Sequence, residues 1–259
     1  GWENAGVYNG FIDDVKFSHD SGFHTQPFRV TLATETEDAL IYYTTDGSEP
    51  YKMEGRERNG TVYTEPLIIT QTTRLRAVAV RPGWKPSDVE TRGYVFLASD
   101  VRNFTSNLPI AVVDTFRRGI SQGSPVFAIT GIVDVGEDGR AHINGQPHFM
   151  GRSGINVRGK SSAGFPKHQY HFEVWDEYNQ DADASLLGLP SESDWVLQGP
   201  YSDKSLIRNY LTYMWSNDMG RYAPRCRLIE MFLNTGSGDI TYSDYGGVYI
   251  LMEKIKRDE

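Results

Sequence analysis

From Val15 to Phe96 the apolar positions fall in short runs divided by Gly, Pro, Asp and Thr clusters, and no run is long enough to carry a helical period. PFRVTLATE, ALIYYTTDG, PLIITQTTRLRAVAV and VETRGYVFL alternate or run apolar, while DGSEP and RPGWKP supply turns. The pattern predicts a small β-sandwich over 15–97. Residues 1–14 read as the tail of a preceding module, with FIDDVKF leading into the sandwich. ASDVRNFTSN, 98–107, is polar and without period, which predicts a linker.

Past residue 107 the pattern changes. LPIAVVDTF and PVFAITGIVDV are apolar, β-branched runs of the kind that fill buried strands, EDGRAHINGQPHFMGRSG is rich in turn residues, and KHQYHFEVW alternates. Then Leu206, Ile207, Tyr210, Leu211, Met214 and Trp215 recur at helical spacing and predict a helix over 201–219 with one apolar stripe. Ser202 or Asp203 stands where a cap is needed, and Gly220 where a left-handed residue ends the helix. RCRLIEMFLN and GGVYILMEKI read as two further strands. Strands, one long helix and two more strands make 108–259 an α+β unit.

Composition narrows the function. The chain of 259 residues carries 26 Lys and Arg against 34 Asp and Glu, a net charge of −8 that argues against a nucleic-acid partner. Cys226 stands alone, which excludes an internal disulfide and a cysteine-based zinc site. No apolar run approaches the roughly 20 residues of a membrane helix. The chain opens on Gly1 and stops at MEKIKRDE directly after a strand, so it reads as a fragment of something longer, without a signal peptide of its own.

Candidate chemistry concentrates in RGKSSAGFPKHQYHFEV, 158–174, where two glycines, two serines and three cations precede an alternating strand. Backbone N–H groups of such a loop can line up on a phosphate, with Arg158, Lys160 and Lys167 to neutralise it. A hairpin turn with a solvated rim has the same composition. On the strand, Lys167, Gln169, His171 and Glu173 share one face and His168, Tyr170, Phe172 and Val174 the other. His168 and His171 therefore cannot share a metal. Asp46 and Glu49 fall short of the roughly six to eight oxygens calcium gathers, and their stretch reads as a turn. Arg208 and Asn209 read as a solvated helix face, and Trp84 as core rather than as a platform for a sugar ring.

Two resemblances add to this. YYTTDGSEP, GTVYTEPLIITQTTRLRAVAV and GWKPSDVETRGYVFL resemble the chitobiase/β-hexosaminidase C-terminal type of immunoglobulin-like module, which implies an accessory domain without catalysis. VRGKSSAGFPKHQY, LLGLPSESDWVLQGPYSDKSLIRNYL, MGRYAPR and GGVYILMEKIKRD together resemble the spore-coat protein H (CotH) kinase family, from about Leu108 to the end. The second resemblance implies an α+β domain like the amino-terminal lobe of an atypical protein kinase. It implies ATP and magnesium as cofactors, serines of an extracellular or envelope-associated protein as acceptors, and a secreted or cell-surface parent. Fungal members are described as surface adhesins, so a non-catalytic adhesion protein is the alternative. Carried onto this chain, the resemblance puts Arg158, Gly159, Lys160, Ser161 and Ser162 over the phosphates, pairs Lys167 with them, and sets Met252 and Glu253 at the hinge. It implies no catalytic residue and no metal ligand within the chain, since a kinase holds those in its second lobe. The glutamate that a typical kinase helix pairs with its strand lysine is absent from 201–219, which leaves Glu230 or Glu253 as a carboxylate for Lys167.

Overall fold

The computed structural model describes residues 8–52 and 57–255, and the chain divides into two compact units between Phe96 and Leu97. The expected tail at 1–14 lies partly outside the described residues, as do the last four positions.

In the first unit, β1 (Gly22–His24), β3 (Leu40–Thr44), β4 (Thr61–Val62), β6 (Thr73–Val80) and β7 (Glu90–Phe96) form a sheet in the order β1-β7-β6-β3-β4. A second layer pairs β2 (Phe28–Val30) with β5 (Leu67–Ile69). Leu75, Ala77 and Ala79 alternate inward from β6 and meet Val30 and Ile69 of the other layer, which is the sandwich that the short alternating runs call for. Arg81 stacks over Trp84 at 4.7 Å, and Gly10 packs against the same indole, so this ring is part of the packing.

The acidic turn is a turn. Asp46 accepts hydrogen bonds from the Ser48 backbone N–H at 2.8 Å and hydroxyl at 2.7 Å, and these hold its carboxyl below the usual range. Gly47 has φ +77°, and a Cβ built there would land on the Arg74 guanidinium. Gly47→Ala should therefore cost about 1–2 kcal/mol from the left-handed backbone alone. A thermal melt showing no loss would mean that the turn relaxes freely.

The second unit is mostly β. Its strands are β8 (Ile110–Asp114), β9 (Val126–Val133), β10 (Phe149–Arg158), β11 (Gln169–Val174), β12 (Asp194–Gln198), β13 (Cys226–Asn234) and β14 (Tyr245–Glu253). They close into a barrel in the order β8-β9-β10-β11-β12-β14-β13, with β13 returning parallel to β8. The expected strands and the single helix are present, but closure makes this a barrel with one helix on its outside. Residues 98–107 are built into the unit: Val101 is fully buried, the Ala98 N–H donates to the Ile240 carbonyl, and Phe104 meets Phe232 edge-on at 5.0 Å.

Helix α1 (Arg208–Asp218) is shorter than the expected 201–219. Leu206 has φ +64°, which breaks any helix upstream, and Asp203 accepts the Arg208 N–H at 2.8 Å to satisfy the new first turn. The other end follows the sequence: Gly220 has φ +74°, its N–H donates to the Asn217 carbonyl and that of Arg221 to Ser216, a Schellman closure. The packed face differs from the predicted stripe. Tyr210 and Tyr213 lie against Val196, Ile250 and Met252 of the sheet, while Trp215 is 56% exposed and Ile207 and Met214 also look outward. Apolar residues occupy both flanks of this helix, so spacing alone does not say which flank meets the sheet.

Candidate functional site

Strand alternation sorts the barrel wall into two faces. Tyr170, Phe172 and Val174 of β11 and Trp195 and Leu197 of β12 fill the interior. Gln169, His171, Glu173, Asp194, Val196 and Gln198 then point outward. The register places Arg158 opposite Gln169, sets Tyr170 opposite Leu197 and so Gln169 beside Gln198, and pairs Val196 with Met252. Three strands thus contribute one outward row, Arg158–Gln169–Gln198, at the end nearest the Gly/Ser turn.

Under helix α1 this face holds a cavity of about 290 Å³, lined by Arg158, Gln169, Val196, Gln198, Tyr213 and Met252, with Glu253 to Ile255 at its other end. Its middle is apolar, with Val196 and Met252 buried, and its turn end is polar. The Gln198 Oε1 is buried without a hydrogen-bond partner among the described residues.

The turn itself is tightly made. Gly159 has φ +102°, and a Cβ there would run into the Ser162 hydroxyl. The Gly159 carbonyl accepts from Gln122 Nε2 at 2.6 Å, and Phe165 meets Tyr201 at 5.2 Å, so both shoulders are anchored. Backbone N–H groups of Lys160, Ser161 and Ser162 have no main-chain partner among the described residues, and Lys160 and Ser161 are exposed.

Of the residues singled out from sequence, Arg158, Met252 and Glu253 come together at the cavity, and Gly159 to Ser162 form the adjoining turn. Lys167 does not line the cavity. It precedes β11, its Nζ donates to the Gly246 carbonyl at 2.9 Å, and it lies 4.4 Å over the Tyr249 ring, so the face assigned to it by extending the strand does not apply. Burial pushes its pKa down, opposed by the charge of Glu230. Neither expected carboxylate is hydrogen-bonded to it. Glu230 accepts from Ser106 and Tyr245, and Glu253 takes the Arg225 backbone N–H at 2.6 Å and its guanidinium at 2.7 and 3.0 Å. Gln169 lies on the polar strand face that alternation predicts, whereas Val196, Gln198 and Tyr213 carry no such signal, because only cross-strand register brings them together.

A second polar group lies further along the same face. His171 Nε2 is 2.9 Å from Asp194 and its Nδ1 3.4 Å from Glu173, while Lys254 donates to Asp194 at 2.9 Å. The two carboxylates approach opposite ring nitrogens, and a histidine offers one nitrogen to a given ion. One ring nitrogen of His171 and one oxygen each of Glu173 and Asp194 nevertheless lie within 4.8 Å of one another, so these three side chains could hold a metal ion as well as form a polar chain with Lys254. His168 precedes β11, so alternation does not place it relative to His171; its ring meets Tyr170 at 6.3 Å.

A cavity of about 630 Å³ is in the first unit between β4 and β5, lined by Arg29, Tyr43, Thr45 and Glu65 among others. Volume alone does not make it the chemical site.

Residues 30–94 match the family described as Fn3 associated, and residues 155–259 match the family described as CotH kinase protein. No curated protein matches the chain. The second match begins within β10 and covers the turn, the helix and every element around the cleft. Residues 155–259 are therefore similar to a CotH kinase protein domain, and the β-sandwich module ahead of them matches Fn3 associated over 30–94.

Proposed function

We propose that the second unit binds ATP with a divalent cation in this cleft, as the nucleotide-covering part of a CotH-like atypical kinase that phosphorylates serines on a partner protein. The observation that carries the reading is the cleft's polarity: an apolar middle at Val196 and Met252, and at one end Arg158 beside the turn. A base fits the middle, and phosphates reach toward Arg158 and the exposed N–H groups of Lys160 and Ser161. The order of elements agrees with a kinase amino-terminal lobe: a Gly/Ser hairpin (β10–β11), one strand (β12), a helix across it, then two strands running out to Met252 and Glu253. The family resemblance supports a secreted or surface-exposed setting, and no described helix is long and apolar enough to cross a membrane.

Magnesium-ATP titration by calorimetry tests the reading. Arg158→Ala should weaken binding about tenfold, the low end for a charge-assisted contact at an exposed site. Lys167→Met should change affinity less than about twofold, because its Nζ is already engaged by Gly246. Absence of ATP binding by the unaltered protein overturns the reading. A non-catalytic surface-binding role is the second reading, favoured by Trp215, Met219 and Tyr222, which are 56, 71 and 70% exposed. Capture of a partner that survives Arg158→Ala and needs no nucleotide would support it.

A further inference from the structure

In protein kinases the strand that follows the Gly-rich hairpin carries a lysine to the α- and β-phosphates, in a run of the form V-A-I-K. Here that strand is β12, DWVLQ, because β10 and β11 are the two arms of the hairpin. Its outward residues are Asp194, Val196 and Gln198. Asp194 is taken by His171 and Lys254, and Val196 packs beneath the helix. Gln198 stands at the turn end of the strand, in the row with Gln169 and Arg158, two residues past the valine that floors the cleft.

A buried amide oxygen with no partner is costly unless something else completes it. The Gln198 Oε1 has no partner among the described residues, so turning the carboxamide gives up no hydrogen bond at the oxygen and sets an Nε2 donor in its place. We propose that Gln198 is the phosphate-reading group on β12, donating a neutral hydrogen bond to an α- or β-phosphate oxygen where a common kinase uses lysine. Arg158 then supplies the positive charge from the neighbouring strand. This rests on the nucleotide reading of the cleft and assigns its phosphate end.

The test compares the unaltered protein with Gln198→Glu and Gln198→Lys by calorimetry, using magnesium-ATP and adenosine as separate ligands, with thermal melts alongside. Glutamate is nearly isosteric and turns the donor into an anion, and the melts separate any loss of folding from a loss of binding. It should weaken ATP at least tenfold and leave adenosine within about twofold. Gln198→Lys should strengthen ATP severalfold without changing adenosine. Equal ATP affinity in all three proteins, or parallel loss of adenosine and ATP in Gln198→Glu, overturns the assignment while leaving the nucleotide reading intact. If the unaltered protein binds neither ligand, the nucleotide reading itself fails and the assignment with it.

Discussion

Trp195→Ala is expected to destabilise the barrel by about 3–5 kcal/mol, the range for emptying a large aromatic site in a core. Trp195 is fully buried, stands opposite Phe172 in the ladder between β11 and β12, and donates its indole N–H to the Glu192 carbonyl at 3.0 Å. The alanine would leave a void and remove that hydrogen bond. Against a typical total of about 5–15 kcal/mol, the loss is large enough to move a melting transition well clear of error. The sandwich has its own core around Leu75 and Tyr94, so one transition should shift and another stay in place. Trp215→Ala is the control, since its side chain is 56% exposed and removal should change stability by no more than about 0.5 kcal/mol. Equal shifts from the two tryptophans would contradict the packing described here.

Those two tryptophans also mark how far the sequence could be read. Trp195 sits in DWVLQ, an apolar stretch whose alternation on its own allows either face. Pairing with β11 and β14 decides that Trp195 and Leu197 go in and Val196 and Gln198 go out. Local signals were legible: the alternation of Tyr170, Phe172 and Val174 and the left-handed Gly220, whereas the N-cap is Ile207 and Asp203 reaches the Arg208 N–H from upstream of it. Each depends on a few consecutive residues and on backbone physics that acts at short range. Barrel closure was not legible, because it joins Ile110–Asp114 in parallel to a strand more than a hundred residues later. The cleft depends on the same kind of information. Arg158 was visible as a cation beside a turn, but Gln169 and Gln198 have no chemical signature until register sets three strands side by side. Lys167 drew attention as the lysine nearest the strand. Two residues outside the ladder were enough for its side chain to take a different direction, toward Gly246.

Register also creates the site with the clearest dependence on pH. Asp114 ends β8 directly opposite Asn234 at the end of β13, and both are buried. Its carboxylate accepts the Phe116 N–H at 2.7 Å and the Asn234 side-chain N–H at 3.0 Å. Burial nonetheless dominates and pushes its pKa from 3.8 to about 6, with the two hydrogen bonds opposing and the charge of Asp244 adding slightly. The folded state therefore holds this proton more tightly than the unfolded chain does. The stabilisation is fully present below about pH 4, falls as pH rises through the window to about 6, and is gone above it. A shift of about two units corresponds to about 3 kcal/mol across that window. Asp114→Asn cannot titrate, and its amide adds a pH-independent offset against the Asn234 amide. The difference in unfolding free energy, unaltered protein minus variant, should decline by about 2–3 kcal/mol between pH 4 and 6 and then stay level to pH 8. Urea unfolding at four pH values measures it. A difference that is flat across the window would mean that Asp114 is as well solvated in the folded barrel as in the unfolded chain.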